Sequence, residues 1–174
     1  MPTTKMTKKL TAREPATTLY GTPAAIQKSN VAGVKAATIQ WMSFSKSVVR
    51  EDPTMRIHRV RTGARASHMI GAANTLGVPR ETIFNLVGLP TSTANRKIAN
   101  GEILDMPVTE RLARLAAIKQ HAEATFGDTE VSRQWLLASN TALGGCSPLS
   151  LLDTDIGARE VSKALASIAY GGVA

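Results

Sequence analysis

Covalent chemistry needs a nucleophile, a base or a set of metal ligands at a workable spacing, and this chain is poor in all three. His58, His68 and His121 are its three histidines, and none has a carboxylate at a paired spacing. Each therefore reads as a surface or packed histidine rather than a general base. The single cysteine, Cys146, has no indicated histidine or aspartate partner and reads as a small free thiol. Asp153 and Asp155 are of metal-ligand type, but at the start of an apolar helical segment they read as caps. Gly144-Gly145 suits a turn, and neither a Gly-x-x-x-x-Gly-Lys-Ser/Thr loop nor a Gly-x-Ser-x-Gly elbow occurs. The reading is a binding protein, not an enzyme, with no catalytic, cofactor-binding or metal-binding residue expected.

Groups that hold phosphate are abundant, and they are unevenly placed. Of the 174 residues, positions 1–100 hold 15 Lys and Arg against 4 acids (+11), and positions 101–174 hold 6 against 9 (−3). A basic first half suits a polyanion, because nucleic acid releases counterions when Lys and Arg replace them. The densest set is Thr91, Ser92, Thr93, Asn95, Arg96 and Lys97. Hydroxyls and cations bond phosphates, Arg pairs with guanine and Asn with adenine.

These residues must be presented by helices. Aromatics are only 4% of the chain against 43% hydrophobic, so the core must be aliphatic and rich in alanine, which favours helix over sheet. Residues 1–33 are interrupted by Pro2, Pro15, Gly21 and Pro23, and Val34–Val49 shows no clear period. Positions 1–50 are expected to be a flexible basic arm, with Trp41, Met42 and Phe44 available for ordering against a partner. Met1–Leu10 lacks the apolar run of a secretory signal, and one cysteine fits a reducing cytoplasm. No segment approaches a membrane span.

From residue 54 the pattern predicts a run of short helices: 65–76, 80–87 and 91–100, then a long one over 106–126. In the long helix, Asp105 is expected as a cap, Pro107 fits the first turn, and Val108, Leu112, Leu115, Ala122 and Phe126 form the apolar stripe. Glu110 and Arg114 are placed as an exposed i,i+4 pair. Val131, Trp135 and Leu136 are expected to anchor a helix over 129–138. Ser147 is expected to cap a short turn. Asp153-Thr154-Asp155 opens a last helix carrying Val161, Leu165 and Ile168.

A tight glycine turn between two short helices can present the second to a major groove. With Gly77 as the turn, residues 80–87 read the groove and offer Arg80, Glu81, Thr82 and Asn85. With Gly88 as the turn, residues 91–100 do, and this more cationic register is preferred. The fold expected is all-α: a helix-turn-helix DNA-binding bundle over 51–105, then a small helical domain over 106–174.

One resemblance makes that domain specific. Trp135-Leu136, Asn140-Thr141-Ala142-Leu143-Gly144-Gly145-Cys146-Ser147-Pro148-Leu149, Leu152, Gly157, Val161, Leu165, Ile168 and Tyr170-Gly171 together resemble the toxin-binding domain of the Xre/MbcA/ParS antitoxins. The stretch from Gly88 to Leu115 is similar to the helix-turn-helix region of the same family, so the likeness spans about 55–174.

The resemblance implies a cytoplasmic bacterial antitoxin that binds a cognate RES-domain toxin, blocks its NAD site and represses its own operon through operator DNA. It also implies a homodimer and a higher toxin–antitoxin assembly. On that reading the last helix and tail face the toxin, through Arg159, Lys163, Ser167, Tyr170, Gly171, Gly172, Val173 and Ala174. The tail departs from the family at Gly172, where a bulkier residue is usual. The other reading is a solitary helix-turn-helix transcriptional regulator whose C-terminal domain only dimerises.

Overall fold

The structure, a computed structural model, describes residues 29–171. Among the described residues there are eight α-helices, two 3-10 turns and no strand, so the all-α expectation holds. The one extended contact is an antiparallel bridge between Arg65 and Ile103.

Residues 29–50, expected as part of a flexible arm, instead form helix α1 (Ser29–Arg50). Ala37, Trp41, Phe44 and Val48 recur at i, i+4, i+7 and i+11 and are all buried. They lay α1 against α3 (Ser67–Leu76) and α6 (Met106–Phe126). Trp41 and Phe44 stack at 5.8 Å between ring centroids. Residues 1–28, the rest of the expected arm, lie outside the described residues.

Helix α2 (Pro53–Thr62) starts where Asp52 accepts hydrogen bonds from Thr54 N at 2.9 Å and Met55 N at 3.1 Å, with Pro53 in the first turn. None of its residues is buried. The short helices α4 (Arg80–Leu86) and α5 (Thr91–Ala99) follow α3, close to the bounds expected from sequence.

α6 packs against four other helices. It touches α1 and α2 on the N-terminal side and α7 (Thr129–Leu137) and α8 (Asp155–Ala169) on the other. Its Val108, Leu112, Leu115 and Ala122 are buried as expected, and Phe126 is half-buried, 5.7 Å from the Trp135 ring. Buried side chains from Trp41 to Leu165 form one continuous cluster. Each large aliphatic member contributes about 1.5–3 kcal/mol relative to exposure.

Several local expectations are corrected. The Asp105 side chain makes no cap bond to α6 and lies 3.9 Å from Lys97 Nζ. Arg114 is not on a wet face: mostly covered, it donates at 3.4 Å to the Leu152 and Asp153 carbonyls as well as facing Glu110. In α7, Val131 is exposed and the small Ser132 is buried in its place, because Ser132, one turn before the buried Leu136, shares its face of the helix. Ser147 stands at a cap position without a side-chain bond. Thr154, not either aspartate, caps α8, its hydroxyl accepting from Gly157 N at 3.1 Å. Asp155 lies in the first turn and pairs with Arg159.

Candidate functional site

Two surfaces emerge, one on each side of α6. The first is built from α4, the turn at Gly88 and α5. α4 is seven residues long and buries Ile83, Phe84 and Leu86, so it is held in the core and offers only Glu81 and Asn85 fully to solvent. Arg80 and Thr82 are half-covered. α5 is the reverse: Ala94 is its one fully buried residue, and Thr91, Ser92, Asn95 and Arg96 are exposed. The projecting helix is therefore the one in the Gly88 register.

The turn between them is fixed by backbone chemistry. Gly88 has φ +74°, a left-handed conformation that disfavours any side chain. Arg111, from α6, donates to the Val87 carbonyl at 2.9 Å and lies against Gly88, where a Cβ would come within 2.7 Å of the guanidinium. Arg133, from α7, reaches the Leu76 carbonyl at the end of α3 at 3.4 Å. Guanidiniums at helix C-termini meet the negative end of the dipole, so two arginines pin the ends of α3 and α4. Nothing in residue type or spacing marks either arginine for this role. Arg133 also holds the exposed Glu130 carboxyl down to about 2, helped by the Gln134 amide.

The α5 cations are not equivalent. Arg96 Nη1 donates to Glu102 at 2.6 Å and Lys97 Nζ to the other Glu102 oxygen at 3.2 Å. The Arg96 side chain is 59% exposed, whereas that of Lys97 is 13% exposed and lies between Glu102 and Asp105. Thr93 is half-buried. The expected set of six exposed groups is thus corrected to four, because the turn at Gly101 folds Glu102 back over the end of α5. The Asn100 amide, the Lys97 ammonium and the Arg96 guanidinium hold the Glu102 carboxyl below the usual carboxylate range. Glu102 was missed from the sequence, although its position just past Gly101 is the available signal.

The second surface is the outer face of α8. Gly157, Ala158, Val161, Ala164 and Leu165 pack inward, leaving Arg159, Lys163 and Tyr170 outside. Arg159 pairs with Asp155 at 2.6 Å and Lys163 with Glu160 at 2.7 Å, so both are neutralised within the helix. Ser167 is half-buried rather than exposed. Tyr170 is 92% exposed, and Gly171 follows it with φ +77°. Exposed Ile156 extends the apolar part of this face. Gly172, Val173 and Ala174 lie outside the described residues. Cys146 is exposed and free, and Gly144 and Gly145 form the turn expected of them.

Among the described residues no helix is long and apolar enough to cross a membrane, and no cluster of three metal-ligating side chains occurs.

Known proteins match much of this chain. Residues 121–171 match the family described as the antitoxin Xre/MbcA/ParS C-terminal toxin-binding domain. The chain is 33% identical over 138 residues to a protein of Sphingobium sp. (strain YBL2) named Prs ADP-ribosylating antitoxin, covering 74% of this chain and 87% of that relative. It is 31% identical over 83 residues to Antitoxin Xre of Pseudomonas putida, covering 48% of this chain and 52% of the relative. To Antitoxin Xre of Yersinia enterocolitica it is 28% identical over 95 residues, covering 54% and 64%.

Proposed function

This chain belongs to the Xre/MbcA/ParS-type antitoxins, and from that premise we propose that it covers the NAD site of a cognate RES-domain toxin and represses its own operon through α5. The observation that carries the first half is the outer face of α8. It ends in a fully presented tyrosine and a left-handed glycine, and the family match stops at that glycine. An aromatic ring supplies large contact area at small entropic cost. The ion-paired Arg159 and Lys163 frame it as a polar rim, with Ser167 beside them. Gly172, Val173 and Ala174 belong to the toxin contact in this reading.

The toxin chemistry we favour is ADP-ribosyl transfer, which consumes NAD. The name of the Sphingobium relative couples that protein to ADP-ribosylation. The antitoxin itself acts by binding and supplies no catalytic group.

For the second half, the projecting α5 reads the operator with Thr91, Ser92, Asn95 and Arg96. The partly covered Thr93, Lys97 and Arg80 add contacts at the edge of that set. A homodimer would place two such helices on a palindromic operator, within a larger toxin–antitoxin assembly.

The test is removal of residues 170–174 in the full operon. Toxin capture and neutralisation fall at least tenfold while operator binding stays at the parental level. Undiminished toxin neutralisation by the truncated chain overturns the α8 reading. Recovery of the parental chain without any co-purifying partner favours the solitary regulator.

A further inference from the structure

Beside the end of α5 lies a cleft of about 530 Å³ between α1, α2 and α3 that neither surface above uses. Gln40, Ser43 and Ser47 from α1 line one side, and Arg59, Arg65 and His68 the other. Its charge is simple to count. Arg59 is taken up by Glu51, its Nε donating to one carboxylate oxygen at 2.8 Å and its Nη2 to the other. Arg65 is exposed and has no ion-pair partner among the described residues. One guanidinium is therefore available.

Two further features favour an anion there. His68 is only 9% exposed, lines the cleft, and its Nδ1 has no hydrogen-bond partner. The Gln40 carbonyl accepts from the Ser67 hydroxyl at 3.0 Å, which leaves its amide hydrogens to donate.

The cleft is tied to α5 through the backbone. Arg65 bridges Ile103, Ala66 N donates to the Glu102 carbonyl at 2.9 Å, and Leu104 N to the Ala64 carbonyl at 2.7 Å. Glu102 is the residue whose carboxylate holds Arg96 and Lys97. The segment that lines the cleft and the α5 cations are thus joined through Glu102.

We propose that this cleft seats a backbone phosphate of the duplex engaged by α5, with Arg65 as charge partner and the Gln40 amide as hydrogen-bond donor. The proposal rests on the reading of α5 as the groove helix and adds a contact outside the groove. One free guanidinium matches the single charge of a phosphodiester better than the double charge of a phosphomonoester. Such a contact fixes register without reading sequence. The exposed Arg56 and Arg61 continue the basic surface along α2.

The experiment uses the full chain, a duplex carrying its own promoter, and an unrelated duplex of equal length. Binding is measured against salt, and the His68 ring resonances are followed by NMR during titration with duplex and, separately, with inorganic phosphate. Arg65→Gln is expected to flatten the slope of log affinity against log salt by about 0.9 on both duplexes, because one phosphate contact is lost. The promoter-to-unrelated affinity ratio stays constant, and Arg65→Lys restores most of the slope. The His68 resonances move with duplex in the parent and not in Arg65→Gln. An unchanged slope in Arg65→Gln, or a silent His68 at saturating duplex, overturns the proposal. So does a saturable His68 response to inorganic phosphate with none to duplex, which marks a free-anion site. If the parent binds both duplexes equally while Arg65→Gln still flattens the slope, the phosphate seat stands and groove reading by α5 fails.

Discussion

Gly157→Ala tests how α8 is seated. Gly157 is the third residue of α8, and its N–H donates to the capping Thr154 hydroxyl. A methyl added there would overlap the Leu151 carbonyl oxygen and lie 2.9 Å from Leu151 Cβ. The obstacle is backbone rather than a flexible side-chain end, so α8 must lift from the Pro148–Leu151 turn. That movement loosens Leu149 and Leu152 against Val161 and Leu165, all four buried. Overpacking of this kind costs about 1–3 kcal/mol. Alanine in a helix recovers roughly 0.5–1 kcal/mol of that relative to glycine. A clash with backbone belongs to the upper half of the overpacking range, so the net destabilisation is about 1–2.5 kcal/mol, equivalent to a Tm lower by about 2–10 °C for a chain of this size. Urea and thermal unfolding followed by helical circular dichroism measure it. Gly33→Ala is the matched control: Gly33 also lies in a helix, but nothing stands within 4 Å of its added Cβ, so that variant gains stability or stays level. Toxin capture weakens in Gly157→Ala while duplex binding is retained. If Gly157→Ala is as stable as the parent, or gains like Gly33→Ala, the close approach described here is refuted.

Burial, then Arg65 and Arg59, push His68 down to about 4 from an ordinary 6.5. Above pH 6.5 it is neutral in both states; between 6.5 and about 4 the unfolded chain takes up a proton that the folded one refuses. Stability is lost through that window, by up to about 3 kcal/mol. Unfolding free energies against pH should show this, and His68→Phe should flatten the profile; identical profiles would show that other groups carry the dependence. Glu102→Gln releases Arg96 and should raise duplex affinity several-fold. Arg96→Ala should lower both affinity and salt slope, and Lys97→Ala should do so less; equal losses in a binding assay would refute the distinction drawn from their exposures. Trp41→Ala removes the largest fully buried side chain and should cost about 3–5 kcal/mol in urea unfolding. A loss below about 1 kcal/mol would show that α1 is not integral to the core.

Where one face of a helix is apolar, its place could be read directly: α6 was bounded to the residue by Pro107 and Gly127 and by the spacing of Val108, Leu112 and Leu115. α1 was hidden because it is apolar on two faces. Val31, Ile39, Met42 and Val49 are exposed while Ala37, Trp41, Phe44 and Val48 are buried, and two interleaved stripes erase the period that either alone would show. The exposed part of the α5 set was legible from residue type. The masking of Lys97 was not, because it depends on how the chain reverses after Gly101. Arg111 was invisible for a similar reason: its contact joins segments far apart in sequence, and only packing brings its guanidinium to Val87. On α8, residue type marked Tyr170 but could not show that Arg159 and Lys163 are already paired.

Because α6 packs against α1 and α2 as well as α7 and α8, the described residues have no seam along which their two halves can fail separately. Unfolding that reaches this helix is one cooperative event. Under the proposed function, the operator is vacated at the moment the toxin goes unguarded. The hazard and the order for fresh antitoxin then share one trigger, and no sensor beyond the integrity of a single helix is needed to set it off.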